Sequence, residues 1–134
     1  MNLVIDTNVL ESGLFFGGKP RILLNMLLNN EVVSFVSDEI VAEYQEIFDR
    51  MLQEYKLQDN GITLSQIINK CTLVAPTRKI DVCRDPDDNK FLECAAEAKC
   101  VYIVSGDKDL LSIGQFEDIE IITVSEFFAR YNDK

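Results

Sequence analysis

Apolar and polar positions along the chain alternate between short uninterrupted apolar runs and longer stripes at helical spacing. Leu3-Val4-Ile5 is a run without a polar member, the pattern of a strand buried on both faces, and it stops at Asp6-Thr7-Asn8. Ser12 to Pro20 reads as a glycine-containing loop that carries Phe15 and Phe16. Pro20 then opens a helix with Ile22, Leu23, Met26 and Leu27 on its apolar side. Val32 to Val36 makes a second strand and Ser37-Asp38 a cap. Ile40, Tyr44, Ile47, Phe48, Met51 and Tyr55 form the inner stripe of a long helix that ends over Lys56 to Gly61. Ile62 to Cys71 is a weaker helix, Thr72 to Val74 a third strand, and Thr77 to Cys83 a connecting loop.

The next stretch has the densest signals. Asp85 fits an N-cap and Pro86 the first helical position, and Phe91, Leu92, Cys94, Ala95 and Ala98 recur at helical spacing behind them. A helix therefore begins near Asp85 to Asp88 and ends near Lys99. Val101 to Val104 is a buried strand before the turn Ser105-Gly106-Asp107. Leu110 and Leu111 begin a short turn, Ile119 to Thr123 is a fifth strand, and Ser125 caps a final helix through Tyr131.

Strands alternating with helices predict an α/β fold with a five-stranded, mainly parallel sheet covered on both faces. The whole chain, residues 1–134, reads as a single domain. A helix of about 12 residues climbs roughly 18 Å, and a strand of about 5 residues returns roughly 16 Å. Asp88 and Asp107 are therefore expected at one edge of the sheet, beyond the carboxyl ends of its strands, with Asp6 at the end of the first strand. Open α/β sheets bind ligands at that edge. Asp85, Asp87 and Asp88 also suit a first helical turn, where each gains up to about 1 kcal/mol from the helix dipole. At this point capping and chemistry both stand open.

Composition narrows the chemistry. The chain holds no histidine, which removes Ser-His-Asp and Cys-His catalysis and every histidine base. Cys71, Cys83, Cys94 and Cys100 form no C-x-x-C pair and read as buried, reduced thiols rather than zinc ligands. A net charge of −10 argues against broad electrostatic capture of nucleic acid. No basic region precedes the first apolar run, and no uncharged stretch approaches the roughly 18 residues of a membrane span. A soluble cytoplasmic protein without a membrane role is expected. Phe15 and Phe16 are expected in the core or a dimer contact rather than stacked on bases.

Charge also says what the acids need. Two carboxylates about 5 Å apart repel by roughly 3 kcal/mol at an effective dielectric near 20. A cluster of them requires protonation or a cation, and oxygen-only ligands select Mg²⁺ or Mn²⁺. Helical phase singles out one glutamate of the long helix for that cluster. At about 100° per residue, Glu43 lies about 90° from the centre of the apolar stripe, Glu39 about 130° and Glu46 about 150°. Glu54 shares the flank of Glu43 but stands some 16 Å further along the axis. Glu43 alone combines flank and level.

The segments Leu3 to Leu10, Glu39 to Tyr44, Asp85 to Leu92 and Val104 to Leu111, in this order and at these distances, resemble PIN domains. Most similar is the bacterial group described as toxin components of toxin-antitoxin pairs. The resemblance covers nearly the whole chain and implies a three-layer α/β/α sandwich. It implies metal-dependent cleavage of RNA, with an acidic cluster of Asp6, Glu43, Asp88 and Asp107 as catalytic and metal-binding residues and Asp109 as an extra member. Thr7, Asn8 and Ser105 match polar positions that order the cluster or its waters. A cognate antitoxin protein and a homodimer are the implied partners. Lys90 and Lys108 are read as solvated counter-charges, with phosphate contact as the other role.

Two other classes remain. A phosphotransfer domain also puts Asp at strand ends, but a haloacid-dehalogenase-like hydrolase expects an Asp where Asn8 stands. A receiver domain expects a phosphorylatable Asp where the third strand runs into Val74-Ala75-Pro76. The third class is a PIN-fold interaction protein with little activity that binds an antitoxin; four intact acids count against it.

Overall fold

A computed structural model describes residues 1–57 and 62–132. Its centre is a six-stranded sheet in the order β3-β2-β1-β4-β6-β5. The strands are β1 (Asn2–Ile5), β2 (Val33–Val36), β3 (Thr72–Leu73), β4 (Tyr102–Val104), β5 (Gln115–Phe116) and β6 (Ile119–Ile122). All neighbours pair in parallel except β5, which folds back antiparallel on β6. The sixth strand is the one departure from the expected five.

Seven α-helices flank the sheet among the described residues: α1 (Thr7–Phe15), α2 (Gly18–Leu28), α3 (Asp38–Glu54), α4 (Leu64–Lys70), α5 (Asn89–Glu97), α6 (Lys108–Ile113) and α7 (Val124–Asn132). Parallel pairing forces each crossover over a face of the sheet, which gives an α/β fold with helices around the central sheet. The core contains Leu3, Val4 and Ile5 of β1, Phe91 and Leu92 of α5 and Ile103 of β4, all at most 1% exposed. Each such side chain is worth about 1.5–3 kcal/mol of hydrophobic stabilisation. Three of the four cysteines are buried and all four are free, and burial pushes the Cys94 and Cys100 thiols up to about 12.

Three local expectations change, while the cap of the long helix stands. Ser12 to Phe15 belongs to α1 rather than to a loop, because Gly13 serves close packing. A Cβ there would stand 2.7 Å from Leu24 Cδ1 and 3.0 Å from the Pro20 backbone, where α2 crosses α1. The break comes instead at Gly17, whose φ of 90° an L side chain rarely adopts. The long helix starts on Ser37, whose hydroxyl accepts from Ile40 N–H, and its ending over Lys56 to Gly61 lies partly outside the described residues. Asp85 caps a single 3-10 turn, Pro86–Asp88, from which α5 continues. The last helix is capped by a reciprocal Thr123 and Glu126 pair rather than by Ser125.

Tyr55, assigned to the inner stripe of α3, is 44% exposed beyond the helix end and meets the ring of Phe16 edge-on. Phe16 is itself 53% exposed, whereas Phe15 packs against Phe48 in the core. Among the described residues no helix is long and apolar enough to cross a membrane.

Candidate active site

The carboxyl ends of β1 and β4 lie side by side, and the backbone there aims the first acid. Asp6 N–H donates to Val104 O at 2.9 Å, extending the β1–β4 ladder by one residue. The Asp6 carbonyl accepts from Val9 and Leu10 N–H as α1 begins, yet its carboxylate makes no capping bond to that helix. It accepts instead from the Ser105 hydroxyl at 2.7 Å. The same hydroxyl oxygen accepts from Asp107 N–H at 3.0 Å, so one buried serine ties the ends of both strands together. Asp107 caps α6 through Oδ2, which accepts from Leu110 N–H at 3.0 Å.

Asp88 arrives at the junction of the 3-10 turn and α5, with no capping bond from its side chain. Asn89 fastens that junction. Its amide oxygen accepts from Val82 and Cys83 N–H, and its amide nitrogen donates to Pro86 O. Glu43 comes from the second turn of α3. Tyr44, next to it, donates its hydroxyl to Ile5 O and so fixes α3 at the end of β1. Both oxygens of Glu43 are engaged: Oε2 accepts from the Thr7 hydroxyl, and Oε1 pairs with Lys90 Nζ at 2.7 Å.

These groups line one cleft of about 210 Å³, with Asp6, Thr7, Asn8, Glu43, Ile47, Asp85, Asp88 and Asp107 in its wall. Larger hollows, of about 340 Å³ beside Asn8 and Ser125 and about 480 Å³ between α2 and α7, gather no more than one carboxylate each. Asp109 is not in the wall; its carboxylate lies 3.9 Å from Arg84 Nη1. Lys108 is exposed, but Lys90 is not the solvated counter-charge read from the sequence. Its side chain is 8% exposed because α5 carries it inward onto Glu43.

Electrostatics mark the same cleft. Burial raises Asp6 to about 6, with Glu43 and Asp107 adding to the shift and the Ser105 hydroxyl and Thr7 N–H opposing it. Asp88 also rises to about 6, through burial and then the charges of Asp107, Asp6, Asp85 and Glu43. Burial opposes the Lys90 charge, but the hydrogen bond and charge of Glu43, with Asp87 and Asp88, outweigh it and raise the ammonium above its ordinary pKa.

A family model described as PIN domain matches residues 2–109, most of the chain. The chain belongs to the PIN domain family. PIN domains are generally nucleases, so membership carries a hydrolase of the nuclease type at that level, and PIN domains typically use divalent metal ions. The chain is also 34% identical over 117 residues to the uncharacterized protein MJ1680 of Methanocaldococcus jannaschii, covering 84% of this chain and 75% of that protein. The match ends at Asp109, while β5 and β6 complete the sheet of this PIN domain beyond it.

The donor set suits such an ion in kind. Asp107 keeps one carboxylate oxygen, and Asp88 both, without a hydrogen-bond partner among the described residues, while the Ser105 hydroxyl and the Thr7 N–H hold the carboxylate of Asp6. Oxygen-only ligands are those of hard divalent cations. No group of three His, Cys, Asp or Glu among the described residues is gathered closely enough to hold a metal as it stands. Carboxylates facing one cleft repel one another without a cation, and a bound divalent charge would reverse that balance.

The sequence reading misjudges Lys90 and passes over Glu11. Lys90 becomes legible only when Glu43 is known to face it. Glu11 of α1 is 1% exposed, with both carboxylate oxygens lacking a partner, and burial with the charge of Asp49 raises it to about 8. Its signal is the spacing Thr7, Glu11, Phe15, one inward face of a helix whose second half, from Ser12, reads as loop in the sequence.

Proposed function

We propose that this PIN domain is an endoribonuclease that hydrolyses RNA phosphodiester bonds with a carboxylate-bound Mg²⁺ or Mn²⁺. The observation that carries the reading is the convergence of Asp6, Glu43, Asp88 and Asp107 on one cleft at the carboxyl edge of the sheet. Asp6, Asp88 and Asp107 have the oxygens to hold the ion, and Glu43 completes the wall. When bound, such an ion supplies a water of lowered pKa and charge to offset the phosphate.

The chain's own residues orient that chemistry. Ser105 fixes the Asp6 carboxylate and the entry to Asp107, Thr7 holds Glu43, and Asn8 presents an exposed amide at the rim. No protein nucleophile is required. With a net charge of −10, RNA is held at the cleft rather than by a broad basic surface. The toxin role, a cognate antitoxin and a homodimer rest on the family resemblance alone.

The test is incubation of purified protein with a mixed RNA pool in Mn²⁺ or in EDTA, with sequencing of the cut ends. Cleavage that EDTA abolishes and Mn²⁺ restores supports the reading. Undiminished cleavage in chelator contradicts it.

A further inference from the structure

Lys90 is a cation built into an acidic cleft, and the hydrolytic reading leaves it unused. It occupies the second position of α5, so the helix backbone fixes where its side chain starts. The side chain is 8% exposed, and the ammonium lies 2.7 Å from Glu43 Oε1 and 3.6 Å from Asp87 Oδ1. It also stands 5.6 Å from the centre of the Phe91 ring, a favourable seat for a cation. The Thr7 hydroxyl occupies the other oxygen of Glu43. Glu43 is therefore matched in charge and engaged at both oxygens, while Asp88 and Asp107 keep oxygens free and Asp6 carries no cation partner.

We propose that the Lys90 ammonium stands in the place of a second metal ion, so that Glu43 is its partner rather than a ligand and the site takes one divalent ion on Asp6, Asp88 and Asp107. The inference rests on the metal-dependent reading above. A second ion at Glu43 would have to expel the ammonium from a buried seat, leaving that charge without its partner, and to move the Thr7 hydrogen bond. Removing one member of a buried pair carries a heavy penalty. A lysine in this role also differs from an ion in kind. It is a point charge with three donors that neither accepts a water ligand nor leaves with chelator.

The test is the number of Mn²⁺ ions bound per full-length chain, measured by titration calorimetry and by electron paramagnetic resonance, without RNA. Wild type and Lys90→Arg are expected to bind one. Lys90→Met frees Glu43 and is expected to bind two, the coupling between the two ions broadening the resonance. The double variant Glu43→Gln with Lys90→Met leaves no lone charge and keeps the test valid if Lys90→Met fails to fold. It is expected to hold one ion within about threefold of the wild-type affinity, where loss of a ligand costs at least about tenfold. Two ions on wild type, one ion on folded Lys90→Met, or a tenfold loss in the double variant overturns the role of Lys90 alone. No Mn²⁺ on wild type overturns the metal-dependent reading, and this inference with it.

Discussion

Asp6→Asn is expected to stabilise the metal-free protein while abolishing cleavage. Asp6 is 5% exposed, and its pKa rises from 3.8 to about 6 on folding. The folded state binds the proton more tightly, so stability is full below about pH 4, falls as pH rises through the folded value, and stays low above it. A shift of about 2 units corresponds to about 3 kcal/mol at pH 8, shrinking to about 1 kcal/mol at pH 4.5. Asparagine removes the charge and keeps an oxygen for the Ser105 hydroxyl. For a chain of this length, 3 kcal/mol moves the melting temperature by about 10 °C. Thermal melts of protein dialysed against EDTA at the two pH values read the difference. A lower melting temperature for Asp6→Asn at pH 8, or an equal gain at both pH values, refutes the reasoning.

Three other outcomes follow from the same geometry. Glu43→Gln is expected to lower cleavage by about 10- to 100-fold, because it strips Lys90 of its carboxylate beside the ion. Glu46→Gln and Glu54→Gln stay near wild type, since Glu46 only pairs with Arg50 in solvent and Glu54 is exposed; damage from Glu46→Gln would contradict the register of α3. Glu11→Met is expected to raise the unfolding free energy by about 1–3 kcal/mol at pH 7, read as a higher denaturant midpoint, by removing a buried carboxyl with no partner. The gain grows at pH 9, because the Glu11 pKa of about 8 withdraws stability from wild type as pH rises through it; a midpoint unmoved at both pH values counts against the burial argument. Ser105→Ala removes the hydrogen bond that lowers the Asp6 pKa, so the acid limb of the cleavage profile shifts to higher pH. A limb that stays in place shows that another group sets it.

What the sequence made legible was local or periodic. Leu3-Val4-Ile5 and Val101 to Val104 read as buried strands because a strand covered on both faces has no polar side. Asp85 and Pro86 marked the helix entry because a cap and its proline act within one turn. Element ends also carry the acids, so Asp6, Asp88 and Asp107 could be put at one edge from segment lengths, and Glu43 beside them from phase. The rest depended on tertiary contact. Gly13 suggests a loop in isolation, and only α2 crossing against it explains a glycine inside α1. The strand β5 is two residues long, and its turn puts Glu117 at φ 54° with no glycine to announce it. Lys90 and Glu11 are ordinary charged residues until neighbours remote in sequence bury them.

The central claim is that the acidic cleft drives water onto an RNA phosphodiester with the help of a divalent ion. The most direct measurement is cleavage of RNA in ¹⁸O-labelled water, with Mn²⁺ or with EDTA, and mass analysis of the terminal phosphates. The account predicts one labelled oxygen per cut in Mn²⁺, no cuts in EDTA, and none from Asp88→Asn. Cuts that persist in EDTA, or that end in unlabelled cyclic phosphate, would contradict it.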